Sequence, residues 1–313
     1  MLGLAVAAFA PIPLHAQNTV GAIDQVDSGK RVSATVTVVP RHPGSASELT
    51  PDDVMVYENG ERRPVLEWKH ATAGESGLDL AILMDDSLAS NIGLQLSDLR
   101  QFISSLPATT RVEVAYGTHR DASVVQNFTT DHQRAAKALR LPIGRENEIS
   151  SIFQSLTDLV NHWPAGDNRR AALVVSDGID LFYGVSDSFP TLNPSFQAAI
   201  RAAQRKGVTV YTIFANTAGD YSHNLGLLSN GQSSLGLLAS ETGGAAYFEV
   251  LETPLDFAPY LLKFENSLGQ QYLLTFEARP GKSGYEGLRV TTEQPDVKVV
   301  APAQVYVLGN RKT

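Results

Sequence analysis

No cysteine occurs anywhere in the 313 residues. That absence excludes a disulfide framework, thiolate zinc centres, a cysteine nucleophile and a lipid-modified cysteine anchor, so any metal must be held by oxygen or imidazole. A basic surplus is missing as well. The formal net charge is -8 and the 25 Lys and Arg are scattered without a phosphate-binding stripe, which argues against nucleic acid as a partner. Beyond the N-terminus no segment reaches the roughly 18 apolar residues that a membrane helix needs, so no membrane span is expected in the mature chain. No P-loop or G-x-G-x-x-G follows a strand pattern. The seven histidines, at 15, 42, 70, 119, 132, 162 and 223, stand in no recognisable catalytic context. There is no internal repeat and no low-complexity segment.

What is present suffices for a sizeable core: 43% of the residues are hydrophobic, and the length allows one large domain or two ordinary ones. The first residues, MLGLAVAAFAPIPLHAQ, form a short apolar run ending at Ala16 and Gln17. Such a run reads as a signal peptide over residues 1–16, although its basic opening is missing and the leader is expected to start further upstream. Export to the periplasm, the cell surface or the medium follows.

Three regions succeed it. Residues 31–70 read as antiparallel strands: Val32, Ala34, Val36 and Val38 alternate with polar residues, and VMVYENGERRPVLEW places two apolar runs around the hairpin signal Asn59-Gly60. From 76 to 266, LDLAILMD (78–85), VEVAYG (112–117), AALVVSD (171–177) and VTVYTIFA (208–215) are nearly continuous apolar runs, as parallel strands covered on both faces require. Amphipathic helices lie between them. One carries Leu96, Leu99, Phe102, Ile103 and Leu106; another Ile149, Ile152, Phe153, Leu156, Leu159, Val160 and Trp163; a third begins at Phe196 and stops at Gly207. Strand–helix alternation gives an α/β fold with a doubly wound, Rossmann-like, mostly parallel sheet. After 267 the helices end, and QYLLTFEA, GLRVTTE, DVKVVA and AQVYVL (within 267–310) are short strands. These are expected to pack with residues 31–70 as a flanking β-rich, sandwich-like unit.

Ligands on open α/β sheets bind outside the carboxyl ends of the strands, and two apolar strands end there in aspartate. LDLAILMDDSLAS delivers Asp85, Asp86, Ser87 and Ser90, while ALVVSDGID delivers Asp177 and Asp180. Carboxylates and hydroxyls at the mouth of a sheet suit a hard cation such as Mg2+. Two long segments border the same face, GIDLFYGVSDSFPTLNPS (178–195) and NTAGDYSHNLGLLSNGQSS (216–234), both read as loops. Phe182, Tyr183, Phe189 and Tyr221 on them are candidate partner contacts, since aromatics supply much interface energy.

Here the sequence resembles the von Willebrand factor A domain. The metal-ion-dependent adhesion site of that family reads D-x-S-x-S after the first strand, a Thr in a middle loop and D-G after a later strand. Asp85-Asp86-Ser87-Leu88-Ala89 matches the first two ligands, with Ala89 in place of the second Ser and Ser90 one position late. The middle loop often reads G-G-T-N; here Gly144-Arg145-Glu146-Asn147 stands there, so Glu146 takes the place of the Thr, and Ser176-Asp177-Gly178 fits the third element. LASETGGAAYF (238–248) looks like the late L-A-x-x-T-G-G segment, and LTPDDVMVYENGERRPVLEW with the β-rich tail resembles acidobacterial VWFA-related proteins.

The resemblance implies a secreted, non-enzymatic binding or adhesion protein. Asp85, Ser87, Asp177 and Glu146 would hold Mg2+, or Mn2+ or Ca2+, and a protein partner would contribute a carboxylate to the ion. Asp86, Ser90, Asp180, Phe182, Tyr183 and Tyr221 would border the contact. A structural role competes at each position: Asp85 and Asp177 as caps or turn acceptors, Ser87 as a turn residue, and Glu146 as a first-turn glutamate favouring the helix dipole. One alternative keeps the fold as a metal-free interaction scaffold. A Mg-dependent hydrolase fits poorly, because Ser87 stands where a dehalogenase-type phosphatase needs its second Asp, and no late-strand Lys of a receiver domain is found.

Overall fold

Alternating and continuous apolar runs end up in different layers. The computed structural model describes residues 30–42, 48–72, 76–144, 150–215, 224–248 and 256–308. The leader expected over 1–16 therefore lies outside the described residues, as do Glu146 and Tyr221.

β1 (Arg31–Pro40) buries Val32, Ala34, Val36 and Val38 on a single face. β2 (Val54–Glu58) and β3 (Glu61–Arg63) form a hairpin that closes at Glu58 opposite Glu61. Asn59 and Gly60 turn it with φ of 48° and 86°, the paired left-handed conformation that a two-residue hairpin of this hand needs. β4 (Val65–His70) then crosses to the opposite sheet.

The central unit runs β5 (Leu78–Asp85), α1 (Leu96–Ser105), β6 (Thr110–Thr118), β7 (Asp121–Thr129), α2 (His132–Ala138), α3 (Ile152–Asn161), β8 (Arg169–Ser176), α4 (Pro194–Lys206), β9 (Val208–Phe214), α5 (Leu225–Glu241), β10 (Ala246–Tyr247) and α6 (Ala258–Gly269). Its six-stranded sheet has the order β10-β9-β8-β5-β6-β7, parallel throughout except for the edge strand β7. Alternate residues of each strand feed two cores. Leu80, Ile82 and Met84 of β5 pack with α1, α2 and α6, whereas Ala81 and Leu83 face α3 and α4. Both faces are thus covered, which is why these strands carry no polar alternation.

β11 (Gln271–Glu277), β12 (Gly284–Thr292), β13 (Val297–Val300) and β14 (Gln304–Val307) complete two four-stranded antiparallel sheets, β13-β1-β11-β4 and β14-β12-β2-β3. Val36, Val56, Leu274, Phe276, Val290 and Val307 fill the space between them. N- and C-terminal segments therefore share one sandwich. Arg169 joins that sandwich to the α/β unit: its buried guanidinium donates to the Leu268 carbonyl at 2.7 Å and to the Gln271 side chain, which donates in turn to the Tyr211 hydroxyl at 2.9 Å.

Several elements have no counterpart in the sequence reading, α2 and α6 among them. DASVVQNFT, left unassigned, is β7; as an edge strand it is only half covered, so its apolar pattern is weak. The second half of the segment 216–234, read as a loop for its Gly, Ser and Asn, belongs to α5. Small residues there serve close packing, as described below. Among the described residues no helix is long and apolar enough to cross a membrane.

Candidate functional site

Strand order reverses between β5 and β8: the chain leaves β5 for β6 on one side and later returns to β8 on the other. In open α/β sheets ligands are held outside the strand carboxyl ends at such a reversal. The register pairs Met84 with Val175, so the next residues, Asp85 and Ser176, emerge side by side at this point.

Their side chains meet. The Ser176 hydroxyl donates to Asp85 Oδ2 at 2.7 Å, while the Ser87 hydroxyl and backbone N–H donate to Asp85 Oδ1 at 2.7 and 3.0 Å. Ser176 Oγ also accepts the Gly178 N–H at 2.9 Å. Asp85 is 3% exposed. Burial pushes its carboxyl above the usual carboxylate range, against the opposing pull of the Ser87 and Ser176 bonds and with a small upward push from Asp86. Among the described residues no Lys, Arg or His contacts it. A buried carboxylate without a positive partner either holds a proton or holds a cation.

Asp177, the next residue, is buried and accepts the Ile179 N–H at 2.8 Å on Oδ1. Its backbone is gripped by α5. A Cβ on Gly231 would lie 2.1 Å from the Asp177 carbonyl oxygen, and one on Gly178 would lie 2.4 Å from the Gly231 carbonyl oxygen. Glycine on both sides lets helix and strand end touch backbone to backbone.

Asp86 and Asp180, expected at the border of a partner contact, are both buried and bonded internally. Asp86 is buried under Arg140, which binds it with two donors at 2.7 and 3.2 Å while lying 3.8 Å above the Tyr116 ring; the Ile143 N–H adds a bond at 3.0 Å. Asp86 thus anchors the segment 139–144. Asp180 is 1% exposed and holds the Ser151 hydroxyl and the Phe182 N–H. Both carboxylates are spent on internal bonds. Ser151 in turn caps α3, accepting the Gln154 N–H at 3.2 Å, so Asp180 ties the loop after β8 to the start of that helix.

The remaining candidates are spread around this centre. Ser87 is half-buried and Ser90 exposed at the start of a 3-10 turn, Ser90–Leu94. Phe182 is half-buried beneath Arg120 and edge-on to Tyr183, which is itself exposed. Arg140 and Ser151, not among the sequence candidates, hold the site together with Ser176, which the sequence offers only within the Ser176-Asp177-Gly178 match. For Ser151 the signal was a serine immediately before an apolar-periodic run, an N-cap pattern; for Arg140 none was available, because its partner lies 54 residues away.

The chemistry open to this arrangement is that of hard oxygen donors. Ser87 directs its proton at Asp85 and so leaves oxygen lone pairs for a further ligand. The donor set therefore fits a divalent cation of the Mg2+ class. Among the described residues no group of three or more His, Asp or Glu forms a metal cage, so a cation here would depend on hydroxyls as well as carboxylates.

No protein-family model matches the sequence, and neither does any curated protein. Solved structures similar to this chain include an aerotolerance-related membrane protein from Bacteroides fragilis, at 12% identity over 61% of this chain and 98% of that one, with a TM-score of 0.44. The vWF domain of a type V pili tip protein from Porphyromonas gingivalis is 12% identical over 62% and 94%, with a TM-score of 0.41. The conserved hypothetical protein BatB from Bacteroides thetaiotaomicron is 16% identical over 45% and 67%, with a TM-score of 0.35. At these values none of them assigns a role to a residue of this chain.

Proposed function

We propose that the chain is an exported, non-enzymatic binding protein of the von Willebrand factor A type, related to the acidobacterial VWFA-related proteins. In this reading it engages a protein partner through a divalent cation at the carboxyl ends of β5 and β8. The observation that carries the reading is Asp85: a buried carboxylate, bonded by two hydroxyls, at the point where strand order reverses. Asp85, Ser87 and Asp177 would hold the ion, with Glu146 as a further candidate ligand. When bound, Mg2+, Mn2+ or Ca2+ supplies an electrophilic centre that a partner carboxylate completes. Ser176 would fix the Asp85 rotamer, and α5 would fix the backbone at Asp177.

A second reading has its own support. The two hydroxyl bonds already satisfy Asp85 without an ion, and Ala89 has no donor to offer. The unit would then be a metal-free interaction scaffold.

Calorimetric titration of the mature protein and of Asp85→Ala with MgCl2, MnCl2 and CaCl2 separates the two. Saturable heat in the wild type that disappears in the variant is the expected result. No saturable heat with any of the three ions removes the metal and leaves the scaffold.

A further inference from the structure

The sandwich opens where β13 leaves β1. Odd-numbered residues of β1 present their backbone groups to β13: the Arg41 N–H donates to the Asp296 carbonyl at 2.7 Å, and the register sets Val39 opposite Lys298 and Thr37 opposite Val300. Even-numbered residues turn to β11, as the bonds from the Val38 N–H to the Gln270 carbonyl and from the Ala278 N–H to the Lys30 carbonyl show. β13 ends at Val300. Ser33 and Thr35 therefore point their N–H and C=O groups to the side that the strand has vacated, where among the described residues they have no partner.

That departure is fixed by the α/β unit. The Ala303 N–H donates to the Glu241 carbonyl at 3.0 Å, and a Cβ on Gly243 would stand 2.7 Å from the Pro302 nitrogen. These contacts draw residues 301–303 to the end of α5 and hand the chain to β14. There the Leu288 N–H donates to the Ala303 carbonyl at 2.8 Å, so Ala303, Val305 and Val307 face β12 and the backbone groups of Gln304 and Tyr306 face outward from the sheet edge.

Both open edges line one cavity of about 190 Å3, together with the last turn of α4 and the start of β9. Gln204, only 6% exposed, lines it too: its Nε2 donates to the Glu241 carbonyl at 2.9 Å, and its Oε1 has no partner. Reversing the amide would set two oxygens together, so the orphaned atom is an acceptor that calls for an N–H. Among the described residues, the charged side chains that line the cavity are Arg205, which lies over the Tyr306 ring, and Lys206. Both are positive, in a chain of net charge -8.

We infer that an extended, acidic peptide segment docks here as an added strand, antiparallel to β1 opposite Ser33 and Thr35 and in line with β13. A peptide backbone carries the alternating N–H and C=O groups that a strand edge lacks, and the N–H that Gln204 lacks. Acidic side chains on it meet Arg205 and Lys206. The cavity lies at the start of β9, the end of the parallel sheet opposite Asp85 and Asp177, so docking draws on no cation between those residues.

A bead-bound library of random acetylated hexapeptides, screened with the whole protein and followed by calorimetry on resynthesised hits, tests this. The hits should favour Asp and Glu over Lys and Arg, bind equally in EDTA, and slow amide exchange at Ser33 and Thr35. N-methylation of their central residues should weaken binding about tenfold or more. Gln204→Leu should do the same, as should Ser33→Pro, which removes an N–H that the β1–β11 ladder does not use; Ser33→Ala, which removes only the hydroxyl, should bind as the wild type does. Should Ser33→Pro fail to fold, the N-methylated peptides put the same question to the wild type. Absence of hits, basic hits, binding abolished by EDTA, equal binding after N-methylation or protection confined to other residues overturns the proposal.

Discussion

Gly231 approaches Asp177 so closely that a Cβ on the glycine would stand 2.1 Å from the aspartate carbonyl oxygen. Gly236, on the same helix, has open space at that point. Gly231→Ala should therefore destabilise the protein by about 2–3 kcal/mol through overpacking, whereas Gly236→Ala should be neutral or stabilise by up to about 1 kcal/mol through helix propensity. Urea unfolding of both variants checks the contrast, and equal effects would refute the backbone contact.

Arg140 neutralises Asp86 and packs on Tyr116. Removing the cation leaves a buried carboxylate uncompensated, so Arg140→Met should cost about 3 kcal/mol. Adding Asp86→Asn to it should recover part of the loss, since the orphaned charge disappears. A double-mutant cycle from denaturant unfolding measures the coupling; strict additivity would show the pair to be idle.

Glu113, on β6, is pushed by burial and by neighbouring Asp79 from its ordinary value of 4.5 up to about 7. Below pH 4.5 it is protonated folded or unfolded. Between pH 4.5 and about 7 the unfolded chain releases the proton that the folded chain keeps, so stability is lost as pH rises through this window. The loss from this residue should be about 2–3 kcal/mol, partly screened by the solvent that reaches it. Glu113→Gln should flatten that segment of a stability–pH curve.

Arg169 is a buried cation whose pKa burial lowers, held by the Leu268 carbonyl and Gln271. Arg169→Met should strand both acceptors at the junction of sandwich and sheet and cost about 2–3 kcal/mol. Amide hydrogen exchange should quicken first in β11 and at the end of α6; uniform quickening would mean that the junction has no special part.

Patterning alone determined much of this protein. Continuous runs such as LDLAILMD and AALVVSD could satisfy their apolar residues only as strands covered on both faces, and the period-two run at Val32–Val38 only as a half-covered one. Turn chemistry at Asn59-Gly60 was equally local. Because strands of such a sheet are read from their apolar runs, the places of Asp85 and Asp177 at the carboxyl ends of β5 and β8 were legible too.

Tertiary structure decided the rest, for reasons that no local window contains. β7 draws its order from β6 and from α3 rather than from its own pattern. α5 buries Leu227, Leu228, Leu235 and Leu238 and sets Gly231 against the Asp177 backbone, a partner 54 positions earlier in the chain. Asp85 and Asp86, adjacent and chemically identical, part company in space: one turns to Ser87 and Ser176 and stays without a basic contact among the described residues, the other turns to Arg140 and becomes a bracket. Successive residues at a strand end point to opposite faces, and only the register of neighbouring strands sets what waits on each.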